Sequence, residues 1–338
     1  MVRALYCLGL FCLLSAPAAT AQVAPEYRIE PAEPLWMPGE ADSNSPAHWV
    51  DGTLHLFNSN GNPLRTQGPS FRELRAARAV LFYDYEYSLR WIESTWLDED
   101  GALYAWYHRE VMACREEGLS APEIGALVSY DNGATFFDLG IVLRSGDAPD
   151  CRAGNGYFAG GHGDFTVVLD RERKYFYFLF SNYGGPVSRQ GIALARMAFD
   201  DRANPVGNVW KWDGNAWEQP GLEGAVTPIL AVVTGWGAHD TDAYWGPSVH
   251  WNTHLNQWVM VMSHSCCTPG WPQEGVYISF ATDIAQPGAW TSPQRILEGG
   301  PWYPQVLGMN EGETDKEAGE RVRLFAGAWS EWELVFSR

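Results

Sequence analysis

Basic residues are scarce in this chain. Its 23 Lys and Arg stand against 41 Asp and Glu, giving a formal charge of −18. A surface of that sign repels phosphate backbones and excludes nucleic acid as a partner. Long apolar runs are missing beyond the N-terminus, so no membrane span is expected. Helical signals are almost missing too; only residues 69–80, around FRELRAARAV, have a helical composition. The spacing C-x-x-C does not occur, which argues against a zinc site. Nor do G-x-S-x-G, a P-loop, a dinucleotide fingerprint or H-E-x-x-H, which sets aside several common chemistries.

What is present begins with a leader. Arg3 supplies a positive start, Leu5 to Leu14 a short apolar core, and Ala19-Thr20-Ala21 a small-x-small cleavage site. Residues 1–21 therefore read as a signal peptide, with Gln22 opening a secreted or periplasmic protein. Four cysteines then remain. Cys114–Cys151 is the favoured pairing in an oxidising compartment, leaving Cys266-Cys267 as a vicinal disulfide or two free thiols.

Strand signals fill the rest. LHLFNS, ALYAWYH, TVVLD, KYFYFLFS, QWVMVMS and VRLFAGAW are rich in β-branched and aromatic residues, and pairs such as Asp51-Gly52 and Asn132-Gly133 punctuate them. Five hairpin units repeat, each with a polar turn and a strongly apolar second strand. Aligned on their first strands, Pro46, Thr95, Phe165, Pro247 and Pro304 are equivalent. The expectation is an all-β chain with a single five-bladed propeller over residues 22–338. A β-sandwich with a second small domain is the other architecture considered. SYDNGATF (residues 129–136) matches the S-x-D-x-G-x-T-F/W "Asp box", a hairpin-turn element. The tryptophans of VWKWDGNAWEQP read as packing between blades.

In a propeller, residues just before each first strand stand at the mouth of the central funnel. Acidic groups occur there in four blades: Asp42, Glu93, Asp164, and the pair Asp240 and Asp242. WYPQV in the fifth has none. Carboxylates gathered in one mouth repel, so at least one pKa must rise. A protonated acid beside an ionised carboxylate is what glycosidic bond hydrolysis uses. His162, two residues from Asp164, could bind a sugar hydroxyl, act as an acid, or ligate through water an axial calcium, the one metal considered; no cofactor is required. Trp96 and Trp245 could stack on a sugar ring. His108-Arg109-Glu110 closes the second strand of blade 2, read as leading away from the mouth; His108 is kept as a substrate-binding candidate.

The units DFTVVLDRERKYFYFLFS, SPAHWVDGTLHLFNS and GPSVHWNTHLNQWVMVMS resemble those of the five-bladed propeller glycoside hydrolases, a group that includes arabinanases, β-xylosidases, invertases and levansucrases. The resemblance runs from about residue 42 to 336. It implies a base or nucleophile at Asp42, with Ser45 standing where the family usually has its Asp before Pro46. It implies an acid-tuning or stabilising role for Asp164. The family's general acid, usually a Glu beside Gly-Pro in blade 4, is replaced here by Trp245 before Gly246-Pro247, so the acid role passes to Asp242 or Glu93, or to nothing. The expected function is hydrolysis of a neutral arabinan-, xylan- or fructan-like glycan by a monomer. A non-catalytic carbohydrate-binding propeller is the alternative, and a sialidase-like hydrolase, short of the arginines it needs, the third reading.

Overall fold

The computed structural model describes residues 23–83 and 89–338. The expected signal peptide lies outside them. Five mainly antiparallel sheets follow one another along the chain. Blade 1 holds Ala47–Val50, Thr53–Asn60, Asn62–Gly68 and Arg78–Ala79. Blade 2 holds Trp91–Leu97, Leu103–Cys114, Leu119–Ser129 and Thr135–Leu143, with Leu81–Phe82 running parallel on its outer edge. Blade 3 is built on His162–Leu169, Tyr175–Asn182, Gly191–Ala198 and Val209–Lys211. Blade 4 is built on Ala243–Asn252, Gln257–Ser265, Gln273–Ala281 and Gln294–Glu298. Blade 5 takes Pro304–Gly308, Arg321–Ala326 and Trp329–Ser337 from the C-terminal end, and its outermost strand, Glu26–Trp36, from the N-terminal end. That strand pairs from Glu26 opposite Ser337 to Trp36 opposite Trp329, which closes the ring.

The strong apolar alternation is spent between blades. Trp106, Phe165, Phe176 and Phe178 fill the seam between blades 2 and 3; Leu179, Val249, Met260 and Met262 fill that between blades 3 and 4. Each such side chain contributes about 1.5–3 kcal/mol by leaving water. Trp212 and Trp217 pack against the second seam, as expected, whereas Trp210 stays exposed. The Asp box forms its hairpin turn: Ser129 Oγ accepts from Gly133 N (2.8 Å), and Asp131 Oδ1 accepts from Thr135 N (2.8 Å).

Two expectations need correction. Residues 69–80 form only a short 3-10 turn at Phe71–Glu73 and the edge strand Arg78–Ala79. Phe71 is the one buried side chain of that turn, so no apolar face exists to dock a helix. The second strand of blade 2 does not lead away from the mouth. Antiparallel pairing sets His108 opposite Trp91, so that strand returns to it. Cys114 and Cys151 are bonded, with Cα atoms 5.5 Å apart, and Cys266 and Cys267 form a vicinal disulfide. No helix among the described residues is long and apolar enough to cross a membrane.

Candidate active site

The first strands are tied together beneath the mouth. Asn44 donates its amide to Phe165 O (2.8 Å) and Pro247 O (3.0 Å), joining blade 1 to blades 3 and 4. Gln305 of blade 5 clasps Ser45 through both its backbone groups. Ser45 Oγ accepts from Asn58, so no acid occupies that place.

Three of the predicted acids meet here. Glu93 is fully buried, and both its oxygens are used: Oε1 pairs with His108 Nδ1 at 2.5 Å, and Oε2 accepts from Phe165 N at 3.1 Å. Donor atoms of Glu93, His108 and Asp164 lie within 4.8 Å of one another. Asp164 sits at a β-bulge with φ 43°, in the left-handed region that Asp tolerates better than most residues. Gly163 before it packs against Pro122, where a Cβ would stand 3.0 Å from the ring. The Tyr183 hydroxyl donates to Asp164 Oδ2. Asp42 is half-buried and accepts from Trp91 Nε1 at 3.3 Å, while the Trp91 ring stacks on His108 at 4.8 Å.

Burial and crowding set the protonation states. Burial, and then the Glu93 charge, push the Asp164 carboxyl up to about 7, against the pull of His108 and Tyr183. Burial also raises Asp42, with Glu110 and Glu93 adding to it against Trp91 and His108. For His108, burial opposes the imidazolium, but Glu93, Asp164 and Glu110 override it and push the ring up to about 9. At neutral pH the group therefore holds a cation of its own, with a movable proton on Asp164.

Beside the acids stands an aromatic wall. Phe158, Tyr183, Trp236, Trp245 and Trp271 are buried in one cluster, with Trp302 and Tyr303 half-buried against it and exposed Tyr157 on Trp271. Asp164 and Asp42 act on the Tyr303 hydroxyl, which burial first of all keeps neutral. None of Trp91, Tyr183, Trp302 or Tyr303 was singled out from sequence. The signal for the last two was their position, immediately before the first strand of blade 5.

The other predicted residues lie elsewhere. Asp242 accepts from His264 Nε2 (3.1 Å), whose Nδ1 meets Glu274 (3.0 Å). Asp240 is exposed. Trp245 is fully buried and donates its indole N–H to Ser265, so it backs the wall instead of offering a face. Trp96 falls near the far end of its strand, edge-on to Phe176 and Phe199. It lines a cleft of about 320 Å³ with Arg171, Arg173 and Lys316, away from the acids. His162 is buried against Phe180, its Nδ1 at Gly161 O (3.0 Å), and its pKa is pushed well below normal by burial and then by Lys211. Gly161 O and the Asn182 amide oxygen are the oxygens that meet the ring, so calcium's six or more would have to be completed by water.

No protein-family model matches the sequence, and no curated protein matches it. Solved structures do. A thermostable family-43 glycoside hydrolase aligns with TM-score 0.51 at 13% identity, over 89% of either chain. An exo-β-1,3-galactanase of Phanerochaete chrysosporium, a variant bound to β-1,3-galactotriose, aligns with TM-score 0.53 at 11% identity, over 91% of this chain and 64% of that one. The catalytic domain of a family-62 α-L-arabinofuranosidase from Coprinopsis cinerea aligns with TM-score 0.50 at 10% identity, over 92% and 97%. The fold is theirs. It is the five-bladed propeller of these glycoside hydrolases, and the acids of blades 1 to 3 stand at its mouth.

Proposed function

We propose that this chain is an exported glycoside hydrolase acting on a neutral glycan at the mouth of the propeller. The observation that carries the reading is the meeting of Asp42, Glu93 and Asp164, from three blades, around His108 and beside the aromatic wall. Asp42 is the member with solvent contact and acts as base or nucleophile. Glu93 has both oxygens committed; its part is to hold His108 and to raise Asp164. Asp164 carries the proton that is available near neutrality and takes the acid or stabilising role. With the proton on Asp164, the carboxylates of Asp42 and Glu93 against one imidazolium still leave the mouth negative, which favours an oxocarbenium-like transition state in a low-dielectric site.

The test is sugar release by the purified protein from arabinan, xylan, fructan and β-1,3-galactan. Asp164→Asn, which keeps the shape and tolerates the left-handed backbone, is expected to lower the rate at least about a hundredfold. Full activity in that variant, or no release from any polymer by the unaltered protein, would sink the hydrolase. The second result with retained glycan binding would select a carbohydrate-binding propeller. Trp245 in the family's acid position is the observation that favours this second reading.

A further inference from the structure

At the mouth end of blade 5, four residues stand abreast: Pro304, Ala326, Trp329 and Trp36, from the innermost strand to the outermost. The row spans about 14 Å at three strand spacings. Its inner end adjoins Tyr303, and its outer end is two tryptophans. Trp36 is 65% exposed, and its ring centroid lies 4.0 Å from that of half-buried Trp329, with the two planes inclined at 53°.

The pair is built, not incidental. The register of the N-terminal strand shifts between Pro31 and Leu35, a bulge that re-aims the residues after it. Buried Arg323 pins both sides. Its guanidinium donates to Glu33 O (2.7 Å) within the bulge, to Ser330 O (3.1 Å) and to Ser330 Oγ (3.1 Å), next to Trp329. The pair is also continuous with the acids. Gly327 donates to Trp302 O at 2.7 Å, and the chain runs from Trp36 through residues 37–41 directly to Asp42.

We propose that Trp36 and Trp329 form an outlying stacking platform for a glycan chain whose reacting unit lies at Asp42 and Asp164. The platform takes the apolar faces of neutral sugar rings, as amphipathic rings at partly wet sites do. This rests on the glycan reading above.

Affinity electrophoresis through gels containing arabinan, xylan or β-1,3-galactan tests it, using the full chain and a Trp36→Ala/Trp329→Ala variant. The polymer that retards the unaltered protein should bind the double variant about tenfold more weakly, with turnover of 4-nitrophenyl glycosides unchanged and Trp36→Phe close to normal. Equal retardation of both proteins would overturn the proposal, as would no retardation by any polymer. A changed elution volume of the double variant on gel filtration would overturn it too, by making the pair a contact between copies. Retardation lost in the double variant, with no sugar released by the unaltered protein, would leave the platform standing and remove the hydrolase.

Discussion

Two imidazoles in this molecule are each set among carboxylates, and they differ in what surrounds them. His108 lies with Glu93 and Asp164, all three buried. His264 lies between Asp242 and Glu274, both partly exposed. The second group is compensated: burial is the largest single influence on Glu274 and pushes its carboxyl up, but bonds from Tyr277 (2.8 Å), His264 (3.0 Å) and Arg295 (2.6 Å) together hold it below the usual range. Among the described residues the first group has no such arginine, and burial together with the Glu93 charge appears as a raised Asp164. The same residue types thus give a structural network where water and cations are near, and a protonatable site where they are withheld.

The largest effect should come from removing the Asp164 charge. Beyond its effect on rate, Asp164→Asn should change how stability depends on pH. The folded carboxyl titrates near 7, above the roughly 3.9 of an unfolded Asp. The unaltered protein therefore loses stability as pH rises between about 4 and 7, and the Asn variant does not. Melting curves at pH 4 and pH 8 read this directly; relative to the parent, the variant should gain at pH 8. Equal shifts at both pH values would mean that Asp164 titrates normally, and the contrast with Asp242 would collapse.

His108 runs the other way. Its folded pKa of about 9 exceeds the unfolded value near 6.5, so its contribution is complete below about 6.5 and lost as pH rises through 9. His108→Gln should cost about 3 kcal/mol at pH 6, since it leaves Glu93 buried without its cation, and clearly less at pH 10. A cost independent of pH in denaturant titrations would show that the ring is neutral. A smaller effect is expected of Tyr183→Phe. The hydroxyl pulls the Asp164 pKa down, so removing it should move the alkaline limb of the pH–rate profile upward. A limb that stays put would separate Asp164 from the titration that controls the rate.

Much of this is legible in the sequence, and the parts that are not have physical reasons. Asp164 stands out because a carboxylate at the entry of an apolar strand serves no packing purpose; Gly161 and Gly163 before it do, being pressed against Pro122. The five hairpins were legible because seams between blades demand period-two apolar residues. The closing strand, EYRIEPAEPLW, was not: it is an edge with alternating polar residues, and its partner lies at the other end of the chain. Trp302 and Tyr303 were hidden among the aromatics that any propeller core buries. The place of His108 follows from pairing and not from composition: an antiparallel partner comes back to where its neighbour began. Asp242 was placed by counting back from a first strand, but that count carries no information about its backbone. Both its N–H and its C=O are bound to Thr234, which pulls the residue into the blade-4 loops.

Asp242 therefore offers the sharpest small-effect test. Asp242→Asn leaves His264 its bond to Glu274 and removes one charge from a partly exposed network. Pairs of that kind contribute about 0–1 kcal/mol, and sugar release should stay within about twofold of the parent. A folded Asp242→Asn protein with release lost would return the acid role to blade 4, where the family has its Glu. The buried trio would then be a device for shaping the mouth, and the difference between the two imidazole groups would have been read in the wrong direction. If release persists in Asp242→Asn and fails in Asp164→Asn, burial without compensation is what distinguishes the reacting group from its structural counterpart.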